Sequence, residues 1–225
     1  MRADPHGKVK AGMLRSDSAP LIICFGDSLT AGFQAPSPDN PAGLETPYGG
    51  FLQELLGTAA RVAVSGLCGE LTGEMTMRFR RDVLDHRPAV VVILGGTNDL
   101  GWNAQPTEIM RNLMKMYESA LAAGVEPIPV TVPSLRLDGD FSTGEGRRWL
   151  GEHIARRQVL NRLIGDYAAS KHLHVVDVFT ATAEPETWLL AERYSNDGLH
   201  LTTDGYRLLA TLLYDQVLAA RFGRP

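Results

Sequence analysis

Two kinds of apolar spacing divide the chain. Nearly unbroken apolar runs occur at Leu21–Phe25, Val62–Val64, Ala89–Leu94 and Pro127–Val132, with a more mixed one at His174–Val178. Short runs of this kind, bounded by glycine, proline or aspartate, predict strands covered on both faces, as in a parallel sheet between helices. Between them apolar residues recur every three or four positions. That spacing predicts helices over Tyr48–Leu56, about Leu71–Leu84, from Pro106 to Gly124, about Arg147–Ser170 and over Glu184–Arg193. A last helix is capped by Thr202 or Thr203 and carries a buried stripe of Tyr206, Leu209, Ala210, Leu213 and Val217.

Strand and helix alternate throughout, without a repeat or low-complexity tract. The predicted fold class is therefore α/β, a three-layer α/β/α sandwich around a five-stranded parallel sheet. At 225 residues the chain has the length of one domain. Residues 19–225 are assigned to it and residues 1–18 to a flexible N-terminal arm. Two loops, Gln34–Pro47 and Ser134–Gly146, are long for plain connections and predict a rim or lid.

Composition removes several classes. A formal charge of −4 lacks the basic excess of a nucleic-acid binder. The densest basic stretch, Arg78-Phe79-Arg80-Arg81, is followed by Asp82 and Asp85 and reads as a solvated helix face. Cys24 and Cys68 permit one disulfide at most, and no Cys/His cluster has metal-ligand spacing. No run reaches membrane-spanning length, and residues 1–20 hold no apolar core of a secretory signal, so the cytoplasm is the expected compartment. The expected partner is a small-molecule substrate, with no nucleic acid, no membrane insertion, no metal and no organic cofactor. A homo-oligomer is left open.

In a parallel sheet the loops after Phe25, Val64, Leu94, Val132 and Val178 emerge on one edge, where ligands bind. Ser28 follows the first of these strands. Alone it reads equally as a helix cap or a nucleophile. The edge also receives Gly69, Asn98 and the segment Asp197-Gly198-Leu199-His200. A serine hydroxyl needs a positioned base, and histidine suits that role near neutral pH. The base needs a carboxylate on its other ring nitrogen. Asp197 can fold back onto His200 within one turn of chain, and Asp177 is the other carboxylate that reaches this edge. The amides of Ser28 and Gly69 and the Asn98 side chain are candidate oxyanion donors. Asp27 and Asp99 are expected to brace their loops, and Trp102 to line an acyl pocket. Trp149 and Trp188 fit core or rim equally.

Gly26-Asp27-Ser28-Leu29, Gly69, Gly96-Thr97-Asn98-Asp99 and Asp197-Gly198-Leu199-His200 stand in the order of the four blocks of the GDSL, or SGNH, hydrolases. The sequence resembles that family across almost the whole domain. The resemblance implies a flavodoxin-like SGNH fold and a cofactor-free lipase, esterase or acylhydrolase. It implies a Ser28, His200 and Asp197 triad, with Ser28, Gly69 and Asn98 forming the oxyanion hole. It favours Gly69 over Gly66, because Gly69-Glu70-Leu71-Thr72 resembles the family's Gly-Asp-x-x continuation. No Gly-x-Ser-x-Gly surrounds Ser28, so the α/β-hydrolase elbow does not apply. Short- to medium-chain carboxylic esters are the expected substrates. A carbohydrate O-deacetylase, a lysophospholipase and an acyl-thioesterase share the same residues. A flavodoxin-like phosphate- or cofactor-binding module is the reading from another class, and it leaves Asn98 and the Asp197–His200 pair without a role.

Overall fold

The computed structural model describes residues 19–38, 40–137 and 144–223. The predicted arm and the centre of the Ser134–Gly146 loop lie outside them. Four parallel strands, β1 (Leu21–Gly26), β2 (Arg61–Gly66), β3 (Val90–Leu94) and β4 (Glu126–Pro129), form a sheet of order β2-β1-β3-β4. In chain order the helices are α1 (Ser28–Ala31), α2 (Tyr48–Leu56), α3 (Thr72–Asp82), α4 (Thr97–Gly101), α5 (Pro106–Ala122), α6 (Gly144–Ser170), α7 (Val178–Thr182), α8 (Thr203–Leu213) and α9 (Ala219–Phe222).

Alternation along the central strands builds the layers. Ile22, Cys24, Val90 and Val92 face one side, where they meet Tyr48, Leu52 and Leu56 of α2 and Tyr206, Leu209 and Leu213 of α8. Ile23, Phe25, Val91 and Ile93 face the other, against Met75 and Phe79 of α3, Ile109 and Leu113 of α5 and Leu160 and Ile164 of α6. Successive side chains of a strand point to opposite faces, so a strand covered twice must be apolar at every position. β3 is buried along its whole length. Each such side chain contributes about 1.5–3 kcal/mol by leaving water.

The sheet has four strands where five were expected. The predicted fifth, His174–Val178, shrinks to a single parallel bridge between Val130 and Val176. Two side chains end it. Asp177 accepts the Thr180 amide at 3.1 Å and caps α7, which turns the chain out of the extended form. Past the end of β4, Asn161 of α6 bonds both the amide (2.7 Å) and the carbonyl (2.9 Å) of Val132, taking up backbone groups that a neighbouring strand would otherwise pair. The predicted helix at Glu184–Arg193 is likewise replaced, by a bridge from Ala183 to Leu190 and one turn at Glu192–Tyr194. Arg136 gathers that segment, donating to Glu184 and to the Leu190 carbonyl. Cys24 is buried, Cys68 is exposed, and both are free. No helix among the described residues is long and apolar enough to cross a membrane.

Candidate active site

Ser28 opens α1 directly after β1. The cap of that helix is Asp27, whose Oδ1 accepts the Leu29 amide at 2.9 Å. Ser28 is thereby released from capping, and its Oγ lies 3.1 Å from His200 Nε2. On the other side of the ring, His200 Nδ1 lies 2.7 Å from Asp197 Oδ2. The second carboxylate oxygen of Asp197 accepts the amides of Leu199 (2.9 Å) and His200 (2.8 Å), so the fold-back within one turn is fixed at both oxygens. Burial works to raise the Asp197 carboxyl. The bonds from the His200 ring and from the two amides outweigh it and hold the group at about 2. Asp197 is therefore ionised throughout the neutral range, ready to hold an imidazolium. Phe33 meets the His200 ring edge-on, with centroids 4.5 Å apart. Asp177 caps α7 and accepts from Thr131 Oγ1 (2.9 Å), so the alternative carboxylate is spent elsewhere.

Gly69 and Asn98 come to the same edge. The Leu67 amide donates to the Gly26 carbonyl at 3.1 Å, tying the loop after β2 to the end of β1. Asn98 Nδ2 donates to the Glu70 carbonyl at 3.0 Å, tying α4 to the same loop. A primary amide has two donor hydrogens, so this bond holds Asn98 while leaving one for a ligand. Gly69 has φ +77, in the left-handed region that favours glycine, and its amide donates to no partner among the described residues. Asp99 accepts the Thr72 amide (2.9 Å) and hydroxyl (2.6 Å), and so braces the start of α3 as expected.

A sequence model of the GDSL-like lipase/acylhydrolase family matches residues 24–208. The chain belongs to that family. This GDSL-family acylhydrolase resembles a lipase/acylhydrolase of Enterococcus faecalis, with 25% identity and a TM-score of 0.70 over 89% of this chain and 96% of that one. It resembles in fold Est24, a carbohydrate acetylesterase of Sinorhizobium meliloti, with 21% identity and a TM-score of 0.69 over 89% and 99% of the two chains. A further relative is YqeF of Bacillus subtilis, named an uncharacterized lipoprotein, 22% identical over 89% of this chain and 90% of that protein.

The basic stretch of α3 departs from the solvated face expected of it. Arg78 is buried, and its guanidinium binds the Glu70 carboxylate through Nε (2.7 Å) and Nη2 (2.6 Å), Ser65 Oγ (2.6 Å), Asp82 (3.0 Å) and the Gly26 carbonyl (2.9 Å). It thus joins the ends of β1 and β2 to the Gly69–Glu70 loop. Arg80 and Arg81 are exposed as expected. The signal was present in the sequence, since Arg78 stands eight residues after Glu70 and four before Asp82. A cavity of about 370 Å³ opens beside Asn98, lined by Trp102, Trp149, Leu135, Leu137 and Leu199 among others. Trp102 lines this cavity, and Trp149 is a rim residue. Gly198 links the Asp197–His200 loop to this cavity, because its carbonyl accepts the Arg136 amide at 2.8 Å.

Proposed function

We propose that this family member is a serine esterase that cleaves carboxylic esters through an acyl-enzyme on Ser28. The observation that carries the reading is the continuous relay from Ser28 Oγ to His200 to Asp197, with contacts of 3.1 and 2.7 Å. Ser28 Oγ attacks the ester carbonyl as His200 Nε2 takes its proton. The imidazolium is held by Asp197, and the oxyanion by the amides of Ser28 and Gly69 and the free Asn98 hydrogen. Collapse expels the alcohol, which receives the proton from His200. Water then enters, gives its proton to His200 and adds to the acyl carbon, and His200 returns the proton to Ser28 Oγ as the acid leaves.

Short- to medium-chain acyl groups suit the cavity. An engineered cavity of about 150 Å³ holds benzene, so about 370 Å³ leaves room for several more carbons. The likeness to a carbohydrate acetylesterase supports a second reading, O-deacetylation of a sugar. A panel of p-nitrophenyl acetate, butyrate and octanoate beside an acetylated sugar separates the two. Ser28→Ala, folded, should lose turnover of every ester, and a fluorophosphonate probe should label Ser28. Surviving turnover or a label elsewhere would reject the assignment. The cytoplasmic placement belongs to this proposal. The lipoprotein name of the Bacillus relative gives the alternative, and cell fractionation decides between them.

A further inference from the structure

Two guanidinium groups are buried among the described residues, and they differ in one respect. Arg78 is surrounded by the Glu70 and Asp82 carboxylates. Arg157 of α6 is 2% exposed, and among the described residues no carboxylate pairs with it. Its Nε donates to the Pro133 carbonyl at 3.2 Å, and its Nη1 is buried without a hydrogen-bond partner. A charge removed from water is costly unless it is paired, so such a group points to a ligand that completes it.

Arg157 lines the cavity beside Asn98, opposite no described charge of the other sign. Its titratable neighbours add to the imbalance. Arg156, next in the chain, bonds the neutral Asn103 and Ala104. His153 lies against Trp149 with ring centroids 3.8 Å apart. Burial and the charges of Arg157 and Arg156, against an opposing pull from Glu152, hold that imidazole below its ordinary range. Burial and Arg156 lower Arg157 itself to about 10, which leaves it protonated there. Apart from Thr97 and Asn98 the remaining walls are apolar, and the cavity reaches Gly198 and Leu199, which precede His200 in the chain.

We propose that this cavity is an anion subsite, in which Arg157 receives a carboxylate carried by the acyl or alcohol part of the ester while Trp102 and Trp149 cover its apolar body. A planar carboxylate matches the guanidinium fork and supplies the missing acceptor. The proposal rests on the esterase reading above and names the substrate class of the same site.

Two matched ester pairs test it. One is the p-nitrophenyl half-ester of adipic acid against its methyl diester, with the charge on the acyl side. The other is 4-acetoxybenzoate against 4-acetoxybenzamide, with the charge on the alcohol side. The wild-type protein should favour the charged member of one pair by about ten- to a hundredfold in kcat/KM, chiefly through KM. That pair identifies the side that occupies the cavity. Arg157→Met should bring the ratio to about one, and Arg157→Lys should keep part of it. A purely structural Arg157 would move both members of a pair alike. A ratio near one in the wild type for both pairs, or a ratio that survives in Arg157→Met, overturns the subsite. Ser28-dependent turnover of neutral esters would still uphold the esterase reading in that case. A binding arm needs no turnover. Millimolar 4-acetoxybenzoate or adipate should raise the melting temperature of Ser28→Ala protein but not of the Ser28→Ala/Arg157→Met double variant. Absence of that shift with both ligands counts against the subsite even if no ester is cleaved.

Discussion

Arg78→Ala separates two descriptions of α3. An exposed arginine on a solvated face changes stability by about 0.5 kcal/mol or less when truncated. The structure gives a different expectation. Arg78 and Glu70 are 7% and 9% exposed, and the guanidinium also holds Asp82, Ser65 and the Gly26 carbonyl while lying over the Phe25 ring at 4.1 Å. Removing one partner of a buried pair leaves the other charge uncompensated and costs about 3–5 kcal/mol. With a urea m-value of about 1–3 kcal/mol/M, the unfolding midpoint should fall by more than 1 M at unchanged m. Activity should fall as well, because the Glu70 carbonyl holds Asn98 and the Glu70 carboxylate holds the Gly69 loop to Arg78. A misplacement on the order of 1 Å costs up to about a hundredfold. The expected loss in kcat is therefore tenfold or more, measured where the variant is fully folded. Arg78→Lys keeps the charge without the fork and should lie between wild type and alanine in both assays. A midpoint within error of wild type for Arg78→Ala would refute the reasoning.

The remaining predictions test the edge piece by piece. Asn98→Ala should lower kcat by about 10²–10³-fold, with stability changed by about 1 kcal/mol, and a loss under threefold would remove Asn98 from the oxyanion site. Gly198→Ala should cost stability and activity together, because φ is +79 and a Cβ would stand 1.6 Å from the Arg136 carbonyl oxygen; wild-type melting and turnover would contradict the packing. Burial raises Asp27 from 3.8 to about 7, against the Leu29 amide and His200 and with help from Asp99 and Glu70. The folded state then keeps a proton that the unfolded chain has released, so stability falls as pH rises from about 4 to 7 and the full cost stands above 7. Between pH 5.5 and 8.5 the wild type should lose about 2 kcal/mol in urea unfolding that Asp27→Asn does not lose, and equal slopes would count against it.

Local pattern was enough wherever one segment settled its own structure. Tyr48–Leu56 is helical over the residues expected, and Leu21–Phe25 and Ala89–Leu94 became the two central strands, because an all-apolar run has no solvent face to offer. The site was legible for a related reason. Its residues sit immediately after such runs, and Asp197 and His200 are close enough in the chain to meet without help from the fold. What the local pattern did not give depends on partners outside the segment itself. Nothing in His174–Val178 reveals that Asn161 occupies the backbone of Val132, and nothing in Glu184–Arg193 reveals that Arg136 gathers it. Arg78 looked like surface because its neighbours Arg80 and Arg81 are surface, while the carboxylate that buries it lies on the preceding loop.

These directional contacts share a location. Arg78 to Gly26, Asn98 to Glu70, Asp99 to Thr72, Asn161 to Val132 and Arg136 to Gly198 all join side chain or backbone across loops at the carboxyl edge of the sheet. The two faces of the sheet, by contrast, are held by apolar packing. Apolar packing is non-directional and tolerates a change of shape at a modest cost in stability. Hydrogen bonds to a particular amide or carbonyl do not, since a donor moved by 1 Å has lost its acceptor. The molecule thus draws its stability mainly from the faces and its geometry from the edge. Ser28, Gly69, Asn98 and His200 come from four separate segments and hold a common register because directional bonds connect those segments. Arg157 is the exception that fits the rule, for it stands at the same edge with a buried donor still open.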